Sequence, residues 1–178
     1  MLTILQKEFD NHLFSLTGAI RRKAEVLEEI EIVTTIGGED RQRLWAFNFL
    51  ELEEEAGEKA IGKTANGFKV IFHFVEKKDF YIKLFATTGT DAHLGRFYEI
   101  FDLKKTRQPN SEEVIFEAAG LPYILPELRE GRGEIEWAQQ NKLPILLEEN
   151  DIKGVVHNHS TYSDGKNTLR EMAEGCIQ

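Results

Sequence analysis

Asn66-Gly67 separates two runs of strand-forming residues, 58–65 and 68–75. A two-residue Asn-Gly connection tolerates left-handed backbone at both positions and joins antiparallel strands in a tight hairpin. The chain before position 76 is therefore committed to a sheet. A third strand is predicted at 29–35 (EIEIVTT), closed by Gly37-Gly38. Leu2, Leu5, Phe9, Leu13 and Leu16 recur at helical spacing and predict an amphipathic helix over 2–15. Asp40 is placed to cap a second helix over 40–55, burying Trp45, Phe49 and Leu52 at i, i+4 and i+7. A further helix near 77–86 completes a first block, 1–88, of α+β (mixed α/β) class.

The second block, 89–150, predicts helices at 90–97, 110–119 and 133–141. Ser111-Glu112-Glu113 is a good helix start, and Gly120 with Pro122 is a natural stop. Residues 126–133 (PELREGRG) read as polar and turn-rich. The third block, 151–178, opens with a buried-type strand over 152–156, continues into a polar loop and ends in a helix from about 168 to 175. A strand–loop–helix unit is the opening of an α/β domain, so the chain is expected to stop inside one.

Composition limits the function classes. The formal net charge is -9, with 22 basic against 31 acidic residues, spread along the chain. Duplex DNA is bound chiefly by neutralising its phosphates, so this balance argues against a strongly basic nucleic-acid module. No apolar run reaches the ~18 residues of a membrane span. Lys7, Glu8 and Asp10 near the start speak against a secretory signal. Cys176, the one cysteine, excludes an internal disulfide and fits a reducing, cytoplasmic setting.

The C-terminal loop carries the clearest metal chemistry. His157 and His159 are spaced i, i+2 at a predicted strand end, which aims both imidazoles the same way. Asp164 follows in a loop that can fold back. Two imidazoles and a carboxylate suit zinc, manganese or iron, ions that activate water for phosphoester hydrolysis. His-x-His alone is often a pair of surface histidines; an apolar strand followed by HNHSTYSDG is more specific. The string resembles the first motif of the PHP family of metal-dependent phosphoesterases and nucleases. That resemblance implies metal-ligand roles for His157, His159 and Asp164, with Zn2+ or Mn2+ as the ion. The family's later His, Asp and Glu ligands are absent, so the site is expected to be incomplete and to need the remainder of a PHP domain.

Residues 120–138 (GLPYILPELREGRGEIEWA) resemble the thumb end of bacterial-type family X DNA polymerases, where a near-identical segment precedes a PHP domain. Thr88-Gly89-Thr90 resembles the family's Thr-Gly-Ser segment, where palm meets thumb and the nucleotide sugar packs. Thr17-Gly18-Ala19-Ile20-Arg21-Arg22 resembles its triphosphate-holding turn. The resemblance implies a nucleotidyltransferase-like palm over 1–88, a small helical thumb over 89–150 and a PHP fragment over 151–178. It implies nucleotide-binding roles for Gly18, Arg21, Arg22, Thr88 and Gly89. A glycine opening a helix does offer free N–H groups to an anion. On these residues alone, an ordinary helix start with two solvated arginines is the plainer reading.

The departures cluster at the chemistry. Where the family places an Asp-x-Asp pair the chain has Glu29-Ile30-Glu31, and the third aspartate falls at Ile71. The turn's serine is Ala19, and the aromatic pair before Thr88 is Ala86-Thr87. Glutamate reaches one methylene further than aspartate, which misplaces a strict octahedral Mg2+, and isoleucine cannot ligate. Mg2+ at the palm is not expected. The leading reading is a family X polymerase/PHP fragment of DNA-repair type, with polymerisation lost and weak DNA or nucleotide binding retained. One alternative is an accessory region of a metal-dependent PHP phosphoesterase or 3'-5' nuclease. The other is a non-catalytic protein-interaction module. No reading involves a membrane.

Overall fold

The computed structural model describes residues 1–154 and 157–177. Among them five strands form one mixed sheet: β1 (Phe14–Thr17), β2 (Glu29–Thr34), β3 (Leu50–Ala56), β4 (Lys59–Thr64) and β5 (Lys69–Phe74). Their order is β1-β2-β5-β4-β3. β2 and β5 run parallel, and every other neighbouring pair is antiparallel. The Asn66-Gly67 turn joins β4 to β5, with Gly67 at φ 78°.

Strand alternation divides the sheet into two chemically different faces. Ile32, Val70, Phe72 and Phe74 enter an apolar core with Leu5 of α1 (Leu2–Glu8), Phe9 just past it, and Leu44 of α3 (Gly38–Leu44). Burying a side chain such as Phe72 contributes about 1.5–3 kcal/mol. Glu29 and Glu31 of β2, with Lys69, Ile71 and His73 of β5, share the opposite face. That face is flanked by α2 (Gly18–Arg21) and by α4 (Phe80–Thr88), whose Phe80 and Leu84 pack on Val33.

Two predicted helices are shorter than the sequence suggests. The 2–15 helix ends at Glu8, and Phe14 onward is β1, which pairs Phe14 with Thr34 and Thr17 with Glu31. Asp10-Asn11-His12 breaks the helix, and the strand gains ladder hydrogen bonds that a helix end could not supply. The 40–55 helix is α3 alone. Its cap is Gly37, and Asp40 instead meets His12 and Arg43. Residues 50–56 are the edge strand β3, with Leu52 40% exposed rather than buried. A helix would have stacked the Glu51 and Glu55 charges at i, i+4. An edge strand leaves them in water, where they also discourage pairing with another chain.

A second core lies among α4, α5 (Asp91–Ile100), α6 (Glu112–Ala118) and α7 (Glu134–Gln139). The rings of Phe85, Phe97 and Phe116 meet pairwise at 4.7–5.6 Å. Gly120 at φ 72° ends α6 as predicted. By contacts the chain forms two units, Met1–Leu143 and Pro144–Gln178.

The second unit has a 3-10 turn at Glu149–Asp151 and α8 (Leu169–Gly175), whose first turn is closed by a Thr168–Glu171 capping box. Of the strand predicted over 152–156, residues 152–154 adopt no strand; Val155 and Val156 lie outside the described residues. Ile145, Leu147, Ile152, Tyr162 and Leu169 are all exposed. No helix of the described residues is long and apolar enough to cross a membrane.

Candidate functional site

β1 delivers Thr17 to the polar face, and Gly18 at φ 64° turns the chain into the single-turn helix α2. A side chain at Gly18 would be strained by that φ, and its Cβ would lie 2.0 Å from Glu31 Oε1. Thr88, fully buried at the end of α4, gathers the turn. Its Oγ1 meets Thr17 Oγ1 at 3.1 Å and accepts a 2.7 Å bond from Arg21 Nη1. Its carbonyl accepts from Arg22 Nη1 at 2.7 Å. Gly89 follows in extended backbone, and a Cβ there would press on His93. Gly18, Arg21, Arg22, Thr88 and Gly89 are thus brought to one place.

The parallel register pairs Glu29 with Lys69, Glu31 with Ile71 and Val33 with His73. Ile71 is 3% exposed beside Glu31. Each glutamate has a basic partner from β5: Lys69 Nζ lies 2.7 Å from Glu29 Oε2, and His73 Nε2 lies 2.9 Å from Glu31 Oε2. A metal cage needs carboxylates free to face a shared ion. Here the protein answers them with its own cationic and hydrogen-bonding groups, and an isoleucine stands between those groups. Glu29, Glu31 and Ile71 as arranged do not fit Mg2+.

The arginines are occupied as well. Arg21 Nη2 is paired with Glu112, and Arg129 Nη1 donates to the other Glu112 oxygen at 2.6 Å. Arg22 Nε donates to Glu130 at 2.7 Å. The segment predicted as a polar turn is held from within. Arg129 is fully buried, donates to the Ile124 carbonyl at 2.9 Å and lies over the Phe116 and Tyr123 rings. Next to it, buried His93 Nδ1 meets Glu134 Oε1 at 2.7 Å, and Glu134 also accepts the Gly131 and Arg132 N–H groups. Lys69, His73, Glu112, Glu130 and Glu134 were not read from sequence as site residues. The signal for the first two was basic residues alternating along the strand that faces alternating glutamates.

These groups set a pH dependence. Burial lowers the His93 pKa from its ordinary 6.5, against the pull of Glu134. Burial pushes the Glu112 carboxyl up, but the hydrogen bonds and charges of Arg21 and Arg129 outweigh it and leave the pKa below 4.5. Burial is likewise outweighed at Glu134 by backbone N–H groups and His93. In all three the unfolded chain takes up its proton at higher pH than the folded one. Stability is therefore present above the ordinary values and is lost as pH falls, first below about 6.5 and again below about 4.5. Thermal melts across this range should show the midpoint falling with pH; a midpoint that holds or rises on acidification would contradict the assignment.

A Gly-turn with paired arginines, a paired-carboxylate strand and a parallel partner strand are now in one place, in that chain order. The chain is similar to PolX. It is 28% identical over 202 residues to the DNA polymerase/3'-5' exonuclease PolX of Bacillus subtilis (strain 168). The match takes in 98% of this chain and 35% of that protein, so the chain spans about a third of its relative's length. No family model matches. The similarity supports a family X polymerase relation, and the five-stranded mixed sheet with helices agrees with an α+β nucleotidyltransferase-like fold.

In the C-terminal unit of this PolX-like chain the three predicted ligands, His157, His159 and Asp164, lie close in space but do not face one shared point. His157 Nε2 and His159 Nε2 lie 2.8 Å apart. Asp164 Oδ1 is 2.5 Å from Nδ1 of His159, on the ring edge away from His157. Gly165 permits this fold-back, because a Cβ there would lie 2.2 Å from the His159 carbonyl oxygen. Asp164 thus orients an imidazole in the manner of a carboxylate behind a metal-bound histidine. Among the described residues no group of three or more His, Cys, Asp or Glu is placed to hold a metal. The two Nε2 atoms meet each other rather than a shared ion, and Asp164, expected as a third ligand, lies behind His159, so the expected set is not assembled among the described residues.

Proposed function

We propose that this chain is the palm and thumb of a family X polymerase that no longer transfers nucleotides and holds DNA weakly, followed by the opening of a PHP phosphoesterase domain. The palm spans 1–88, the thumb 89–150 and the PHP opening 151–178. One observation carries the loss of chemistry: Ile71 occupies the third carboxylate position, between Lys69 and His73, which engage Glu29 and Glu31. Typical enzymes lower their barriers by ~8 kcal/mol or more, and in nucleotidyl transfer metal ions supply much of this. Arg21 and Arg22, paired with Glu112 and Glu130, have little charge left for a triphosphate.

A second reading makes the first 150 residues an accessory of a metal-dependent phosphoesterase or 3'-5' nuclease, the second activity in the relative's name. The convergence of His157 and His159 favours it. Those two imidazoles would hold Zn2+ or Mn2+, with Asp164 orienting His159 and the rest of the domain completing the set. Such an ion supplies an activated water for phosphoester hydrolysis.

Anisotropy of a labelled primer–template at low salt, together with a primer-extension assay in Mg2+ and in Mn2+, tests the leading reading. The expected result is binding within the non-specific range, roughly 10⁻⁴–10⁻⁶ M at physiological salt, with no extension. Extension above background that Glu31→Ala abolishes would overturn the loss of activity. No binding at any salt would leave an interaction module.

A further inference from the structure

The arginines of the phosphate turn are neutralised, but unpaired basic charge gathers elsewhere. Residues 103–107 (LKKTR) carry three basic side chains in five positions, in a chain with 22 among 178. This segment closes a groove of about 760 Å³ with the start of α4 and the end of α5. Small-molecule sites run to about 300–1,000 Å³. Ile82, Phe101 and Leu103 line it with Tyr98, which is 46% exposed. Lys78, Lys104 and Arg107 stand at its rim, against Asp79 and Asp102.

Three observations set this groove apart from an ordinary solvated surface. Lys78 pairs with Glu76, but the Lys104 and Arg107 side chains make no hydrogen bond or ion pair with the described residues, and Asp102 spends one oxygen on the Lys104 N–H. Thr106, which lines the groove, is 8% exposed, and its Oγ1 has no hydrogen-bond partner. Buried hydroxyls are nearly always satisfied, so this orphan, itself out of reach of solvent, marks the groove wall as imperfectly packed. Gln108, also on the wall, holds φ 45°, a left-handed conformation that non-glycine residues rarely adopt.

We propose that this groove seats an unpaired nucleotide of a single DNA strand, with its base on Tyr98 and Phe101 and its phosphates met by Lys104 and Arg107. The exposed Tyr98, with the half-buried Phe101 beside it and two unpaired cations in the same groove, matches that ligand, because every base offers a face for stacking and every nucleotide a negative charge. An acidic peptide would satisfy the cations and leave the aromatic wall unused. The inference rests on the reading that this chain holds DNA without chemistry, and it moves the contact from the phosphate turn to the far end of α5.

The test is anisotropy of a short fluorescein-labelled oligothymidine with the full chain over a range of salt. Tyr98→Ala should weaken binding about tenfold, the effect of one lost base stack, while Tyr98→Phe should bind as the unaltered chain does. Arg107→Ala should weaken binding and flatten the dependence of log K on log salt by about 0.7. Polyphosphate and polyglutamate should compete poorly at equal charge. Equal competition by either would reduce the groove to an anion patch and overturn the proposal. Binding that is indifferent to Tyr98 and Arg107 would overturn it and leave the DNA-holding reading intact. No binding at all would remove both.

Discussion

Glu112→Ala should cost about 3–5 kcal/mol of stability, measured by urea unfolding, because it strips the shared counter-ion from two guanidiniums. Glu112 is 3% exposed and Arg129 is fully buried. Losing the carboxylate leaves Arg129, whose Nη2 already has no partner, a buried charge with fewer acceptors. The nearby Phe116 and Tyr123 rings offer only their faces, 4.9 and 5.2 Å from the guanidinium carbon. The same substitution frees Arg21, which binds Glu112 from the end of α2. Severing it therefore loosens the join between the sheet and the helical core as well as the 120–138 segment. The exposed pair Lys23–Glu127 is a useful comparison, with Lys23 78% exposed. Glu127→Ala should cost no more than about 1 kcal/mol. If Glu112→Ala unfolds within that same margin, the buried network does not hold the two cores together.

What could be read in the sequence was local. The Asn66-Gly67 hairpin, the Ser111 start and Gly120 stop of α6, and the Thr168 start of α8 depend on residues within one turn of each other. β1 and β3 were hidden because each competes with a helical pattern. Leu13 and Leu16 satisfy helical spacing, yet Leu16 belongs opposite Ile32, a partner outside any local window. The family resemblance aligned Glu29, Glu31 and Ile71, and the parallel register sets Ile71 beside Glu31. It did not reveal that Lys69 and His73 engage the glutamates, because that requires knowing which face of β5 they share. The PELREGRG segment is polar and turn-rich as read, but its main partner was hidden for a similar reason: Arg129 meets Glu112 across 17 residues of chain, and that one charge is met inside the protein rather than in water.

A carboxylate placed at Ile71 should not create a metal site. Ile71→Asp would place a charge at a position 3% exposed, flanked in register by Glu31 on β2 and Ile61 on β4. A like charge lies on one side and an apolar side chain on the other. The two nearest basic groups on β5 are already committed, Lys69 to Glu29 and His73 to Glu31. An unpaired buried carboxylate costs several kcal/mol or takes up a proton, so the variant should lose about 3 kcal/mol or more at neutral pH. Protonation relieves that penalty, so the deficit relative to the unaltered chain should shrink as pH falls. Mg2+ is the decisive addition. A ligand that binds the folded chain raises its melting point by mass action. In a latent cage, millimolar Mg2+ or Mn2+ would rescue Ile71→Asp and leave the unaltered chain unmoved. The expected result is no rescue, because both glutamates would first have to abandon their partners and still reach too far for an octahedral ion. A metal-dependent recovery of the melting point would show that Glu29 and Glu31 can still turn to a shared ion, and the proposed loss of chemistry would then rest on Ile71 alone.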